Sequence, residues 1–284
     1  MVDVLVLGAM QSAVYALLAL GFTLIVGVGR LVNLAHGAFY AIGAYAAYTL
    51  VVVWKVPLLL GAAAAVLFTG VVGVGVERIL IRPVRTSVMA VLILTLVFAL
   101  LTEQLLYAAY GYTSRNIPAF TTATLQLFGV SVPGQRVVTF GVAAILVAAL
   151  WVYVYHTPAG TAILAVAQDR EAALYMGIDV DRVTRVTTGA SAALAGAAGV
   201  LTSPLLVVSP HMWLLPLVKS FAIVILGGLG SIPGSLLASL VVGYAETAVS
   251  YFLTSALADL VPLLLILGML LVRPTGLLGR HLEA

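Results

Sequence analysis

Catalysis by proton transfer, thiol attack or metal coordination needs side chains that this chain largely lacks. Among 284 residues there are ten acidic residues, four histidines and no cysteine. The missing cysteine excludes disulfides, a thiol nucleophile and cysteine metal sites. No grouping of His, Asp and Glu in the sequence supports catalysis or a metal site. The glycine-rich run Leu226–Gly234, LGGLGSIPG, is not a phosphate loop, because it lacks the Gly-Lys-Ser/Thr ending and follows no strand. What remains is the chemistry of isolated polar groups in apolar surroundings. Glu103, with Gln104 beside it, and Glu246 lie inside long apolar runs. A carboxylate there is costly and faces other helices or water. It either lines a passage or gate, or makes a structural hydrogen bond to a neighbouring helix. Asn33 and His36, followed by Gly37, sit at the joint between two apolar helices. A break at that joint would offer backbone amides and a half-helix N-terminus to a carboxylate. The other reading is a loop whose Asn33 caps the next helix and whose His36 sits in a helix interface.

The elements that carry these groups follow from composition. The chain is 63% hydrophobic and only 8% charged, against roughly 25% charged residues in soluble domains. Apolar runs of about 20 residues span a hydrocarbon core, and here they are continuous rather than alternating, so they are helices. The sequence predicts an all-α integral membrane protein, a polytopic bundle of eight or nine transmembrane helices with possible broken or re-entrant segments. One transmembrane domain is expected over residues 1–284. The expected spans are 4–28, 38–54, 58–76, 88–110, 137–155, 188–208, 217–229, 235–252 and 260–272. The first of them lacks a basic leader and is too long for a signal peptide. Pro210, Pro216 and Pro233 break up the late segments. The net charge of +3 is explained by membrane topology and does not point to nucleic acid.

The most charged stretch is Gln168–Arg185, QDREAALYMGIDVDRVTR, in a loop over about residues 156–187. Asp169 is placed to cap a short helix, Arg170–Met176, and Glu171 sits where the helix dipole favours negative charge. Gly177 is a natural stop for it. Small residues on part of its surface let another protein approach closely. Placing this loop inside puts Arg30, Arg78, Arg82, Arg85, Arg170, Arg182, Arg185, Arg273 and Arg280 on the same side. Lys55, Arg115, Arg136 and Lys219 then fall outside, which satisfies the positive-inside rule. The C-terminus is expected to be cytoplasmic.

Several blocks, in order, carry a resemblance. Asn33-Leu34-Ala35-His36-Gly37 with Gly43-Ala44-Tyr45 comes first, then Glu77-Arg78 with Arg82-Pro83-Val84-Arg85. Glu171-Ala172-Ala173, three residues and Gly177-Ile178 come next, then Gly227–Gly234 and Arg273-Pro274-Thr275-Gly276. Together they resemble the branched-chain amino acid permease family, and most closely the shorter of the two permeases of the high-affinity importer. Asp179-Val180-Asp181 follows Ile178 where the general pattern of the central loop has Leu-Pro.

The resemblance implies a permease subunit of an ABC importer in the inner membrane of a prokaryote. A second homologous permease, two cytoplasmic ATPase subunits and an extracytoplasmic substrate-binding protein would complete the machine. ATP and Mg²⁺ would be bound by the ATPases, with no cofactor and no catalytic residue on this chain. Arg170, Glu171, Ala172, Ala173 and Gly177 would form the helix that couples to the ATPase. Asn33, His36, Gly37 and Glu246 are candidates for the translocation path. The same scaffold carries urea or short amides in sister families. A self-sufficient secondary transporter would instead need an ion-coupling site, for which only Glu103 and Glu246 lie within the spans.

Overall fold

The computed structural model describes residues 1–29, 32–273 and 275–278, so Arg30, Pro274 and Arg280 of the expected features lie outside the described residues. The chain begins with α1 (Val2–Gly29) and α2 (Ala35–Tyr48), which a π-helical turn prolongs to Val53. α3 (Leu58–Val76) is likewise prolonged through Val84, and α4 covers Val88–Tyr110. A hairpin of β1 (Thr124–Leu127) and β2 (Val130–Pro133) precedes α5 (Gly134–His156). Then come α6 (Pro158–Gln168), the short α7 (Arg170–Tyr175) and α8 (Val180–Thr202). A 3₁₀ turn leads into α9 (Leu214–Gly227), followed by α10 (Ile232–Phe252), α11 (Ser255–Ala258) and α12 (Val261–Val272).

Among the described residues, eight helical segments are long and apolar enough to cross a membrane. α8 is as long, but its first turns carry Asp181, Arg182 and Arg185, and its body is built from Ala, Gly, Ser and Thr. It crosses because it is sheathed by other helices rather than by lipid: Ala192, Ala195 and Ala198 are fully buried. Among the described residues α8 runs the length of the bundle beside these eight. α1 is the axis and is mostly buried, whereas α4, α5 and the α11–α12 segment are mostly exposed and form the outside. Small residues set these contacts, as in other helix pairs within membranes.

Two ends can be told apart by what meets there. At one end Met10 of α1 clusters with Val130 and Val132 of the hairpin, and Thr139 of α5 donates to the Leu201 carbonyl at 2.9 Å. The hairpin was not expected. The stretch 111–136 reads as a polar connector, and its two-residue turn is Phe128-Gly129, at φ 52° and 84°, the left-handed pair that such a turn requires. At the other end, Arg82 and Arg85 bind Asp181, and the residues after α12 return to α9, with Leu277 N–H on the Leu226 carbonyl at 2.8 Å. The start of α1 and residues 275–278 thus lie at opposite ends of the bundle.

Arginine sorts along this axis. Arg78, Arg82, Arg85, Arg170, Arg182, Arg185 and Arg273 lie toward the end that carries α7. Lys55, Arg115 and Arg136 lie toward the hairpin end. Lys219, expected on the outer side and within the 217–229 span, belongs to α9, with its side chain 13% exposed. The ammonium has the carboxylates of Glu246 and Asp259 to meet.

Candidate functional site

Local chemistry builds the α7 end. Asp169 has extended backbone, and its Oδ1 accepts from the N–H groups of Glu171 and Ala172 at 2.9 and 3.0 Å. This satisfies amides that a helix start leaves open. The helix stops at Gly177, which adopts φ 80° with open space around it, so the left-handed backbone is what selects glycine there. Asp179 caps α8 in turn, accepting from Arg182 N–H at 3.0 Å. Ala173 is buried in the same apolar cluster as Val166 and Val180 and fastens α7 to the bundle. Glu171, Ala172 and Gly177 are exposed, and so are Leu174, Tyr175 and Met176, the last two at 89% and 83%. An apolar tip of that kind, held on a capped turn at the end of a bundle, marks a contact surface.

Asp181, two residues past the Asp179 cap, accepts from Arg82 at 2.7 Å and from Arg85. It stands in the charged first turn of α8, outside the apolar body. The Arg85 hydrogen bond, against a smaller cost of burial, holds its carboxyl below the usual carboxylate range. The sequence placed these arginines only as topology markers. Their second role ties the α3–α4 turn to the base of α8, a contact between residues about a hundred positions apart that no local pattern announces.

Beside α7 lies a cavity of about 500 Å³ between α1, the turn before α2, the end of α3 and the start of α8. Arg170 and Glu171 reach its rim, and Asn33 lies in its wall. Asn33 is buried, and its Oδ1 accepts from Ala35 N–H at 2.9 Å, closing a turn one residue ahead of the N-cap position of α2, Leu34. His36 is fully buried one turn further on. Its Nε2 donates to the Leu18 carbonyl at 3.1 Å, which leaves Nδ1 to accept from the Ser191 hydroxyl at 3.3 Å, and its ring meets Phe22 edge-on. Gly37 packs on α9 so tightly that a Cβ would stand 2.5 Å from the Trp213 carbonyl oxygen.

Glu246 and Glu103, the two carboxylates expected within the spans, have partners. Glu246 accepts from Lys219 Nζ at 2.7 Å and from the Tyr15 hydroxyl at 2.6 Å. Lys219 also donates to Tyr15 at 3.0 Å and to Asp259 at 2.9 Å. Glu103 accepts from the Trp213 indole N–H at 2.6 Å and from His211 Nδ1 at 2.9 Å. The structure therefore separates the candidates Asn33, His36, Gly37 and Glu246. Asn33 borders the α7-end cavity, His36 and Gly37 are sealed between helices, and Glu246 sits in an ionic cluster joining α1, α9 and α10.

The profile of a known family, branched-chain amino acid transport system permease component, matches residues 4–270. The chain belongs to that family. The permease is 29% identical to LivH of Salmonella typhimurium, named as a high-affinity branched-chain amino acid transport permease, over 96% of this chain and 94% of that one. It is 30% identical to BraD of Pseudomonas aeruginosa over 97% and 95%. Among solved structures it is similar to PsaBC from Streptococcus pneumoniae in complex with Fab, with a TM-score of 0.57, 14% identity and coverage of 96% of this chain and 92% of that one. At that identity the likeness is one of fold.

Sequence reading of the permease missed three features of the site. Glu77 is entirely buried at the cavity although it follows the apolar run of α3. Thr187 is equally interior, and Lys219 lies in the bundle with its side chain partly buried. Glu77 carried one signal, a carboxylate directly continuous with an apolar helix. Thr187 carried none, because threonine is ordinary on any membrane helix.

Proposed function

We propose that this chain is the membrane-spanning permease subunit of an ABC importer that carries branched-chain amino acids. The observation that carries the reading is α7, a capped helix with the exposed apolar tip Leu174-Tyr175-Met176 at the arginine-rich end of the bundle. The arginine bias supports reading that end as cytoplasmic, in what would be a prokaryotic inner membrane. A cytoplasmic ATPase would seat α7 in a groove, and each of the two ATPases would bind its own ATP and Mg²⁺. A homologous permease would pack along the exposed outer helices, and a binding protein would deliver cargo at the hairpin end. ATP-driven closure of the ATPase pair would push α7, and α8, which starts three residues after Gly177, would carry the displacement into the bundle. The Arg82 and Arg85 contacts with Asp181 extend the push to α3 and α4.

Against a gradient-driven transporter, Glu246 and Glu103 are each already engaged by two donors. Affinity capture from native membranes tests the assignment, comparing the intact chain with one carrying Tyr175→Glu and Met176→Glu. An ATPase that copurifies with the intact chain and is lost from the variant supports it. A folded intact chain that captures no ATPase refutes it. Vesicles holding the whole complex should take up radiolabelled leucine only with ATP and the binding protein. Uptake of urea or short amides instead would move the cargo to a sister class.

A further inference from the structure

At the hairpin end of the bundle α1 carries an apolar stripe. Val2, Leu5, Val6, Ala9 and Met10 recur at the i, i+3, i+4, i+7, i+8 spacing of one helical face. The stripe is one wall of a groove of about 520 Å³. Phe128 of the hairpin turn and Phe140 of α5 complete it, so every side chain that lines it is apolar. An occupant can enter, because Leu5, Phe128 and Phe140 are exposed. At 1.5 Å per residue the stripe covers about 12 Å. That is close to the depth of one leaflet in a hydrocarbon core of roughly 30 Å.

Two further features point to what lies there. Phe128 stands at the hairpin tip with φ 52°. Left-handed backbone is an outlier for a bulky residue, and a two-residue turn ordinarily uses Asn, Asp or Gly there. Strain of this kind persists where the side chain has a use. Core packing is not that use, because the ring is 88% exposed; its place is the wall of the groove. Arg136 is the second feature. It lies four residues before Phe140, hence on the same face of α5 and one turn nearer the hairpin. A helical side chain leans toward its helix N-terminus, so the guanidinium extends outward from the level of the groove. Arg136 is exposed and has no hydrogen bond or ion pair with another described residue. Asp3, the one acid of α1, instead accepts from the Tyr251 hydroxyl of α10 at 3.5 Å.

We propose that this groove binds an anionic phospholipid of the leaflet at the hairpin end, with one acyl chain along the α1 stripe and the phosphate on Arg136. A guanidinium and a phosphate form paired charge-assisted hydrogen bonds. An apolar protein segment would fill the groove but leave Arg136 without a counter-charge, whereas the lipid satisfies both. A choline headgroup would bring a second cation beside Arg136 and binds less well. The lipid would join α1, α5 and the hairpin, whichever solute the permease carries.

Native mass spectrometry of the full chain in detergent tests this, with dioleoylphosphatidylglycerol against dioleoylphosphatidylcholine. One phosphatidylglycerol per chain should be held about tenfold more tightly than phosphatidylcholine, the scale of a charge-assisted hydrogen bond. Arg136→Gln, at an exposed position, should abolish that preference without changing the melting temperature. Ala9→Trp fills the groove but spares Arg136, and should release both lipids. In nanodiscs, phosphatidylglycerol with a diazirine on its acyl chain should label residues 2–10 and Phe140. Equal retention of the two lipids, a preference that survives Arg136→Gln, or labelling confined to other helices overturns the proposal. Cross-links from the groove to a second permease in place of lipid would give this surface to a protein and overturn it as well.

Discussion

Replacing Lys219 by methionine decides between two roles for Glu246. The side chains are 13% and 11% exposed, and Nζ sits 2.7 Å from Oε1. Removing one partner of a buried ion pair costs about 3–5 kcal/mol, because the remaining charge is left without compensation. The contact to Asp259, whose side chain is 49% exposed, adds at most about 1 kcal/mol. Lys219→Met should therefore lower the folding equilibrium constant by about two to nearly four decades, at roughly 1.4 kcal/mol per decade. The remedy is to remove the charge as well. In Lys219→Met with Glu246→Gln, the amide oxygen still accepts from Tyr15 and no charge is stranded, so most of the loss should return. The assay is equilibrium unfolding in mixed micelles of the unaltered chain, both single variants and the double, read as a double-mutant cycle. A coupling of about 2 kcal/mol or more is expected for groups in direct contact. Single variants of ordinary stability, or a double variant as unstable as Lys219→Met alone, would refute the argument. Glu246 would then be free to serve the path.

Other perturbations probe the remaining contacts. Gly37→Ala pushes a methyl group to 2.5 Å from the Trp213 carbonyl oxygen and should cost about 1–3 kcal/mol of stability by overpacking; an unchanged unfolding midpoint would contradict the close α2–α9 contact. Gly177→Ala keeps its space but forces a side chain into a left-handed backbone, costing about 1–2 kcal/mol, and should raise hydrogen exchange in residues 174–178 while sparing the bundle. The folded-state pKa of Asp181 is depressed, so its contribution to stability is complete above the unfolded value of about 3.9 and is lost as pH falls through the folded one. The stability gap between the unaltered chain and Asp181→Asn should stay level from neutral pH down to about 5 and close at lower pH; a gap that persists in acid would exclude the Arg82 and Arg85 contacts as its source.

What the sequence alone determined was set by local physics. The length of each apolar run is a property of consecutive residues, so spans such as Val88–Tyr110 read directly. So did the Asp169 cap and the Gly177 stop, because a cap and a left-handed stop act over three or four residues. The family blocks were likewise legible, being short and ordered. Tertiary structure decided everything that depends on a neighbour far along the chain. The span over 188–208 was legible, but that α8 is an interior helix, its Ala192, Ala195 and Ala198 fully buried, was not. Lys219 lies within the bundle because Glu246, Asp259 and Tyr15 converge on it from other elements. Glu77, Asn33 and Thr187 became one cavity only where three separate segments met. Hydropathy prices each residue against lipid or water, whereas burial of a charge is decided by the partner that folding brings to it.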